Sequence, residues 1–255
     1  MRRTDAEALA LGLLHGPAEL VPVSSSGHVA ALPWLLGWEV AGWDGARRKE
    51  LEVALHAGTA AALLALLRPA RVRPGLVVTA ALPPAIAGLA LERRVEERLG
   101  TPAPLAAGLL AGAAALVLAD RARSTRGDGD ADWRDGAALG LAQATALVPG
   151  VSRSGATLAA ARARGFGRAD ASRLSWEVAL PVLLGASGLK GLRIAAARGA
   201  VRVRPLALGA GAAFLSTRAT ARAIGIERRA PLWPWAVWRA GLAGAILAVR
   251  HNRSR

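Results

Sequence analysis

ELVPVSSSGH, residues 19–28, is the stretch on which the architecture turns. An apolar run over about 6–20 leads into it, and another over about 28–38 leads out. Both fall short of the roughly 20 residues needed to cross a bilayer. Pro22 and Ser24, Ser25 and Ser26 interrupt the helix between them. The same event recurs at PGVSRSG, residues 149–155, between short apolar runs over about 136–148 and 155–164. A bare loop cannot face lipid, because its amides would go unsatisfied. Both breaks are therefore read as re-entrant helix-loop-helix pairs whose loops are buried in protein or line a wet cavity.

Outward from these breaks, six runs are long enough to span: about 51–68, 74–92, 102–119, 172–189, 205–222 and 232–249. The 255 residues are 53% hydrophobic and include no cysteine, which excludes a disordered chain and a disulfide scaffold. The net charge is +15, and among 33 basic residues only Lys49 and Lys190 are lysines. Such basicity can mark a nucleic-acid binder. Here the arginines cluster between apolar runs, as in loops beside anionic lipid headgroups, so membrane lipids are the expected neighbours and nucleic acid is not. Lys and Arg divide almost evenly between the two faces, so charge does not set orientation. No cleavable leader is expected, since no small-x-small site precedes a polar start. The eight tryptophans fall near predicted span or hairpin ends and are read as an interfacial belt.

The two halves resemble each other. Leu11-Gly12-Leu13 returns as Leu139-Gly140-Leu141, Ser24-Ser25-Ser26-Gly27 as Ser152-Arg153-Ser154-Gly155, and Glu52-Val53-Ala54-Leu55 as Glu177-Val178-Ala179-Leu180. Order and spacing are kept. The fold class predicted is an all-α integral membrane protein: repeat one over 1–120, a linker over 121–134 and repeat two over 135–255. Three spans between the two hairpins invert the second copy, so the loops enter from opposite faces and meet inside.

Chemistry gathers at the breaks. Glu19, Ser24, Ser25, Ser26 and His28 crowd the first; Ser152, Arg153, Ser154 and Thr157 crowd the second. Arg presents a planar fork of donors to phosphate. A loop turning into a helix N-terminus adds amides and a positive dipole end. A serine three residues before a histidine offers a nucleophile with a base. A carboxylate suits a divalent cation. The sum points to an anionic, phosphorylated substrate reached from the membrane. Of the other ionisable residues at membrane depth, Arg218 and Arg239 are read chiefly as snorkelling or pairing, and His56 as a packing or hydrogen-bonding residue.

The two breaks resemble the signatures of the undecaprenyl-diphosphate phosphatase family, the bacitracin-resistance type. The residues that carry the likeness are Glu19-Leu20-Val21-Pro22-Val23-Ser24-Ser25-Ser26-Gly27-His28 and Pro149-Gly150-Val151-Ser152-Arg153-Ser154-Gly155-Ala156-Thr157, with Leu55-His56-Ala57-Gly58-Thr59 and Ala179-Leu180-Pro181. The likeness covers nearly the whole chain. It implies hydrolysis of undecaprenyl diphosphate to the monophosphate and phosphate, which recycles the lipid carrier for cell-wall synthesis. It further implies a divalent cation, Mg²⁺ or Ca²⁺, and an active site facing the extracytoplasmic side of a bacterial plasma membrane. Glu19, Ser25, His28 and Arg153 match the family's catalytic positions. Ser24, Ser26, Gly27, Ser152, Ser154, Gly155 and Thr157 match its phosphate-contacting loops.

The chain departs from that pattern at His15, where the family has Glu or Gln. His15 and Glu19 lie one helical turn apart on one face. The metal site expected is therefore Glu19 with His15, and the substitution bears on cation choice. The mechanism expected has Ser25 attack phosphorus with His28 as base, Glu19 holding the cation or orienting His28, and Arg153 stabilising the transition state; attack by His28 or by water is the alternative. A transporter or flippase using the same inverted-repeat site is the rival class. A homodimer is left open.

Overall fold

The computed structural model describes residues 1–66, 73–196, 203–223 and 225–254. Ten α-helices occupy them, and among the described residues there is no strand, only an isolated bridge between Arg126 and Phe166. The broken segments form two pairs: α1 (Arg3–Leu20) with α2 (Ser25–Leu36), and α6 (Trp133–Thr145) with α7 (Arg153–Ala163). The other six are α3 (Gly45–Leu66), α4 (Pro74–Leu99), α5 (Pro102–Asp120), α8 (Arg168–Ala196), α9 (Val203–Ala219) and α10 (Trp233–Arg253). The last two residues of the expected 51–68 span lie outside the described residues.

Several helices overrun the apolar runs that announced them. The extra turns of α3 and α4 are built from Arg47, Arg48, Lys49 and Glu50, and from Glu97 and Arg98, which are good helix formers without being lipid-soluble. Hydropathy marks the lipid-facing part of a helix; propensity carries the helix further. Among the described residues two stretches, Pro74–Leu91 and Pro102–Asp120, are by length and composition alone apolar enough to cross a membrane, with mean hydropathy 1.7 and 1.9. On α4, Val78, Leu82, Ile86 and Leu89 are all more than half exposed and form one continuous apolar stripe. Polar residues go the other way: Asp5, Glu7, His15, Glu19 and Arg239 are buried.

The packing pairs the halves. α1 lies against α9 and α6 lies against α4; α1 also meets α2 as α6 meets α7; α5 and α10 pack on each other, and so do α3 and α8. Exchanging the first five helices for the last five reproduces this pattern. The repeated Leu-Gly-Leu supplies part of the cause. A Cβ on Gly12 would stand 2.7 Å from the Ala212 Cβ on α9, and one on Gly140 would stand 2.8 Å from the Ala80 carbonyl on α4. Only glycine lets these backbones approach so closely.

The linker is held by charge. The Asp135 carboxylate is fully buried and accepts both arms of the Arg126 guanidinium, at 2.9 and 2.7 Å, and Arg164 Nε at 2.8 Å. Burial alone would raise its pKa. The Arg126 pair, the Asp132 amide and Arg164 outweigh that and hold it well below the usual carboxylate range. Arg73 pairs with Glu177 and also donates to the Asp128 carbonyl, which fastens the linker to α8.

Candidate active site

Each break ends in a serine N-cap. Ser24 Oγ accepts from the Gly27 amide at 3.2 Å, and Ser152 Oγ accepts from the Gly155 amide at 3.1 Å. These caps start α2 and α7, whose first residues line one cavity. Gly27 and Gly155 thus serve the caps, and neither lines the cavity. Ser24 adopts φ 73°, the one non-glycine residue at positive φ among the described residues. That left-handed conformation costs about 1–2 kcal/mol, and it sits at the turn where strain is most often functional.

Both loops line a single cavity of about 180 Å³. Ser24, Ser25 and Ser26 come from the first and Ser152, Arg153 and Ser154 from the second; Glu19 projects from the end of α1. Lys49, Glu52 and His56, spaced along one face of α3, close another side. Val182, Leu183, Ala186 and Ser187 of α8 supply a largely apolar wall.

Glu19 is the hub. Its Oε1 accepts from Arg153 Nη2 at 2.6 Å, which joins the two halves by an ion pair, and its Oε2 accepts the Ser25 hydroxyl. Arg153 Nη1 is buried with no partner, so half of the guanidinium fork is available to an anion in the cavity. The guanidinium also lies 5.7 Å from the centre of the Trp176 ring.

Other residues depart from the reading of the sequence. His28 does not line the cavity: its Nδ1–H donates to the Ser24 carbonyl at 2.7 Å and its Nε2 accepts from the Trp238 indole at 2.8 Å. Both ring nitrogens are committed, so His28 braces the loop and is not placed as base to Ser25. Thr157 is fully buried and also stands off the cavity; its hydroxyl bonds to the Arg153 and Ser154 carbonyls and to Ser175. A threonine four residues into a helix finds those carbonyls before any ligand. His15 is fully buried behind Glu19, with Nδ1 2.9 Å from Thr59 Oγ1 and its ring edge-on to His56 at 4.5 Å. Trp176 and Trp238 meet Arg153 and His28 instead of serving only as interfacial anchors. Arg218 is exposed, over the Phe214 ring. Arg239 is fully buried and donates to the Gly150 carbonyl at 2.9 Å, bracing the second loop.

Three side chains could hold a metal: the ligand atoms of His15, Glu19 and His56 all lie within 4.8 Å of one another. His56, Lys49 and Glu52 are the site residues missed in the sequence. Their helical spacing is the available signal; Lys49 falls in the charged run before the expected span, and Glu52 and His56 lie within that span with nothing local to show which neighbour they face.

An all-helical fold whose interior cavity joins a carboxylate, hydroxyls and a half-free guanidinium defines a membrane enzyme acting on a phosphorylated group. Comparison with known proteins narrows this. Residues 8–245 match the family of bacitracin resistance protein BacA, and the chain belongs to that family. Among its relatives, the undecaprenyl-diphosphatase of Geobacter sulfurreducens is 35% identical, over 96% of this chain and 98% of its own length. That of Trichlorobacter lovleyi is 38% identical, over 73% of this chain and 75% of its own. That of Marinobacter nauticus is 32% identical, over 95% and 98%.

Proposed function

We infer that the chain hydrolyses undecaprenyl diphosphate to undecaprenyl phosphate and inorganic phosphate, and in doing so supports bacitracin resistance. The observation that carries the reading is the Ser25–Glu19–Arg153 chain: a hydroxyl, a carboxylate and a half-free guanidinium in one cavity, which supports reading Ser25 as nucleophile and Glu19 as its proton acceptor. Ser25 Oγ attacks the terminal phosphorus as its proton passes to Glu19 Oε2. The bond from that phosphorus to the bridging oxygen breaks, and undecaprenyl phosphate leaves with that proton. Water then attacks the phosphoserine and gives a proton to Glu19, which hands it to Ser25 Oγ as phosphate is released. Arg153 and the amides at the starts of α2 and α7 stabilise charge on the transferring oxygens. His28 holds the Ser24 turn through its carbonyl, and Arg239 holds the second loop.

The cation expected with this family is Mg²⁺ or Ca²⁺, which would supply charge neutralisation at the diphosphate. Hard cations of this kind call for several oxygen ligands. Here Glu19 is the sole carboxylate of a three-member donor set whose other two members are imidazoles. That set fits neither ion well, and no step above is routed through one.

The paired loops and the exchange pattern of helix contacts support a duplicated, inverted architecture with six spans and two re-entrant pairs. On this reading the chain lies in the bacterial plasma membrane with the cavity toward the extracytoplasmic side and the prenyl chain in lipid. The test is phosphate release from farnesyl diphosphate by detergent-solubilised protein. Release dependent on Ser25 supports the enzyme; binding without release, by folded protein across pH, supports a transporter.

A further inference from the structure

We propose that His15, Glu19 and His56 bind a transition-metal dication of the Zn²⁺ or Co²⁺ class, in preference to Mg²⁺ or Ca²⁺. A hydrogen bond fixes the tautomer of His56, and the want of an acceptor favours one tautomer of His15. His56 Nδ1–H donates to the Glu52 carbonyl at 2.8 Å, since a carbonyl can only accept. His15 Nδ1 meets Thr59 Oγ1 at 2.9 Å, and Nε2 of His15 is buried with no partner. Both rings are anchored through Nδ1; a buried Nε2–H on His15 would have no acceptor, which favours the Nδ1–H form, and in that form both rings present Nε2 lone pairs. Anchoring one ring nitrogen to a carbonyl or hydroxyl while the other faces the metal is the usual support of a ligating histidine.

Two imidazole lone pairs therefore converge on a carboxylate, with no donor between them. A proton does not bridge the set, because His56 Nε2 and Glu19 Oε2 are 4.0 Å apart, beyond hydrogen-bond range. A dication satisfies all three. Zn²⁺ bonds of about 2.0–2.1 Å require roughly 1 Å of inward movement from the present spacing. Two nitrogens and one carboxylate are a borderline donor set that favours Zn²⁺ or Co²⁺, whereas Mg²⁺ and Ca²⁺ favour oxygen. Three protein ligands with an open side are the pattern of a reactive site. Glu19 and His56 line the cavity and His15 lies behind them, so the open side faces the cavity. The assignment deepens the phosphatase reading, but metal binding is measured without substrate and so stands or fails separately.

The experiment uses the full-length solubilised protein, freed of metal with chelator. Co²⁺ titration followed by visible ligand-field absorption reads the site, and competition with a chromophoric chelator gives Zn²⁺ affinity. One Co²⁺ per chain is expected, with bands that Zn²⁺ abolishes and a large excess of Mg²⁺ or Ca²⁺ does not. His15→Ala and His56→Ala should each weaken Zn²⁺ binding by about 100-fold, and Thr59→Val by about tenfold. His15→Gln and His56→Gln, which keep side-chain volume, repeat the test if an alanine variant fails to fold. His251→Ala, in the exposed tail, should change nothing. Wild-type protein without Co²⁺ bands, bands removed by His251→Ala, or displacement by Mg²⁺ or Ca²⁺ would each overturn the proposal, whether or not phosphate is released from substrate.

Discussion

The Ser25 hydroxyl donates to Glu19, not to His28. Ser25 opens α2 and Glu19 nearly closes α1, so the helix break folds the chain back and sets the Ser25 hydroxyl against the Glu19 carboxylate. His28, three residues along, is turned to the Ser24 carbonyl and Trp238.

Glu19→Gln and Ser25→Ala follow from this contact. In Glu19→Gln the side-chain amide can still accept the Ser25 hydrogen bond but cannot take its proton. Each variant should lose roughly 10³-fold or more in kcat, with a much smaller change in KM. Steady-state phosphate release checks this. A loss under about tenfold in Ser25→Ala would pass the attack to water.

Ser24 combines a cap with an adverse backbone conformation. Ser24→Ala loses the cap, worth about 1 kcal/mol, and keeps the cost of positive φ. Ser24→Gly loses the cap but relieves the backbone. Thermal unfolding should rank the glycine variant above the alanine variant, although alanine is the better helix former.

Much of this is legible in the sequence. Pro22, Pro149 and the serines after them locate both breaks because proline and capping hydroxyls act locally. The helices fall within a few residues of their apolar runs, except where Lys49 and Glu50, Glu97 and Arg98, or residues 190–196 continue a helix past its run. What cannot be read is which partner a polar side chain chooses. Thr157, His28 and Trp176 sit in or beside the motifs, yet their bonds go to Ser175, Trp238 and Arg153, set by packing between segments far apart in sequence. His56 reads as a packing residue because nothing local announces that α1 brings His15 and Glu19 to it.

Gly12→Ala and Gly140→Ala test the repeated helix approach. Each methyl would enter space already filled by the facing helix, and each should destabilise by about 1–3 kcal/mol, as overpacking does. Gly244→Ala on α10, where a Cβ meets nothing, should be neutral or stabilising. Comparable melting for all three would show that the α1–α9 and α4–α6 contacts are looser than described.

Asp135→Asn should destabilise by about 2–3 kcal/mol, below the full figure for breaking a buried pair because Arg164 is partly solvated. A carboxylate with a depressed pKa contributes its stability above the unfolded value, near 3.9. That contribution is lost as pH falls through the lower folded value. The wild-type advantage over Asp135→Asn should therefore be level near neutrality and shrink below about pH 4. Melting against pH in detergent measures it.

On the proposed function two loops, one from each half, make a single site that cleaves a diphosphate. Phosphate release from undecaprenyl diphosphate by wild type, Arg153→Lys and Arg218→Ala is the decisive measurement. Lys keeps the charge at 153 but replaces a two-pronged contact by a point charge, at a cost of about 2–4 kcal/mol in the transition state. Arg153→Lys should lose roughly 30- to 1,000-fold in kcat/KM, and Arg218→Ala should keep near wild-type rates. Undiminished release by Arg153→Lys would overturn the two-loop site, as would folded wild-type protein that binds the lipid and releases no phosphate.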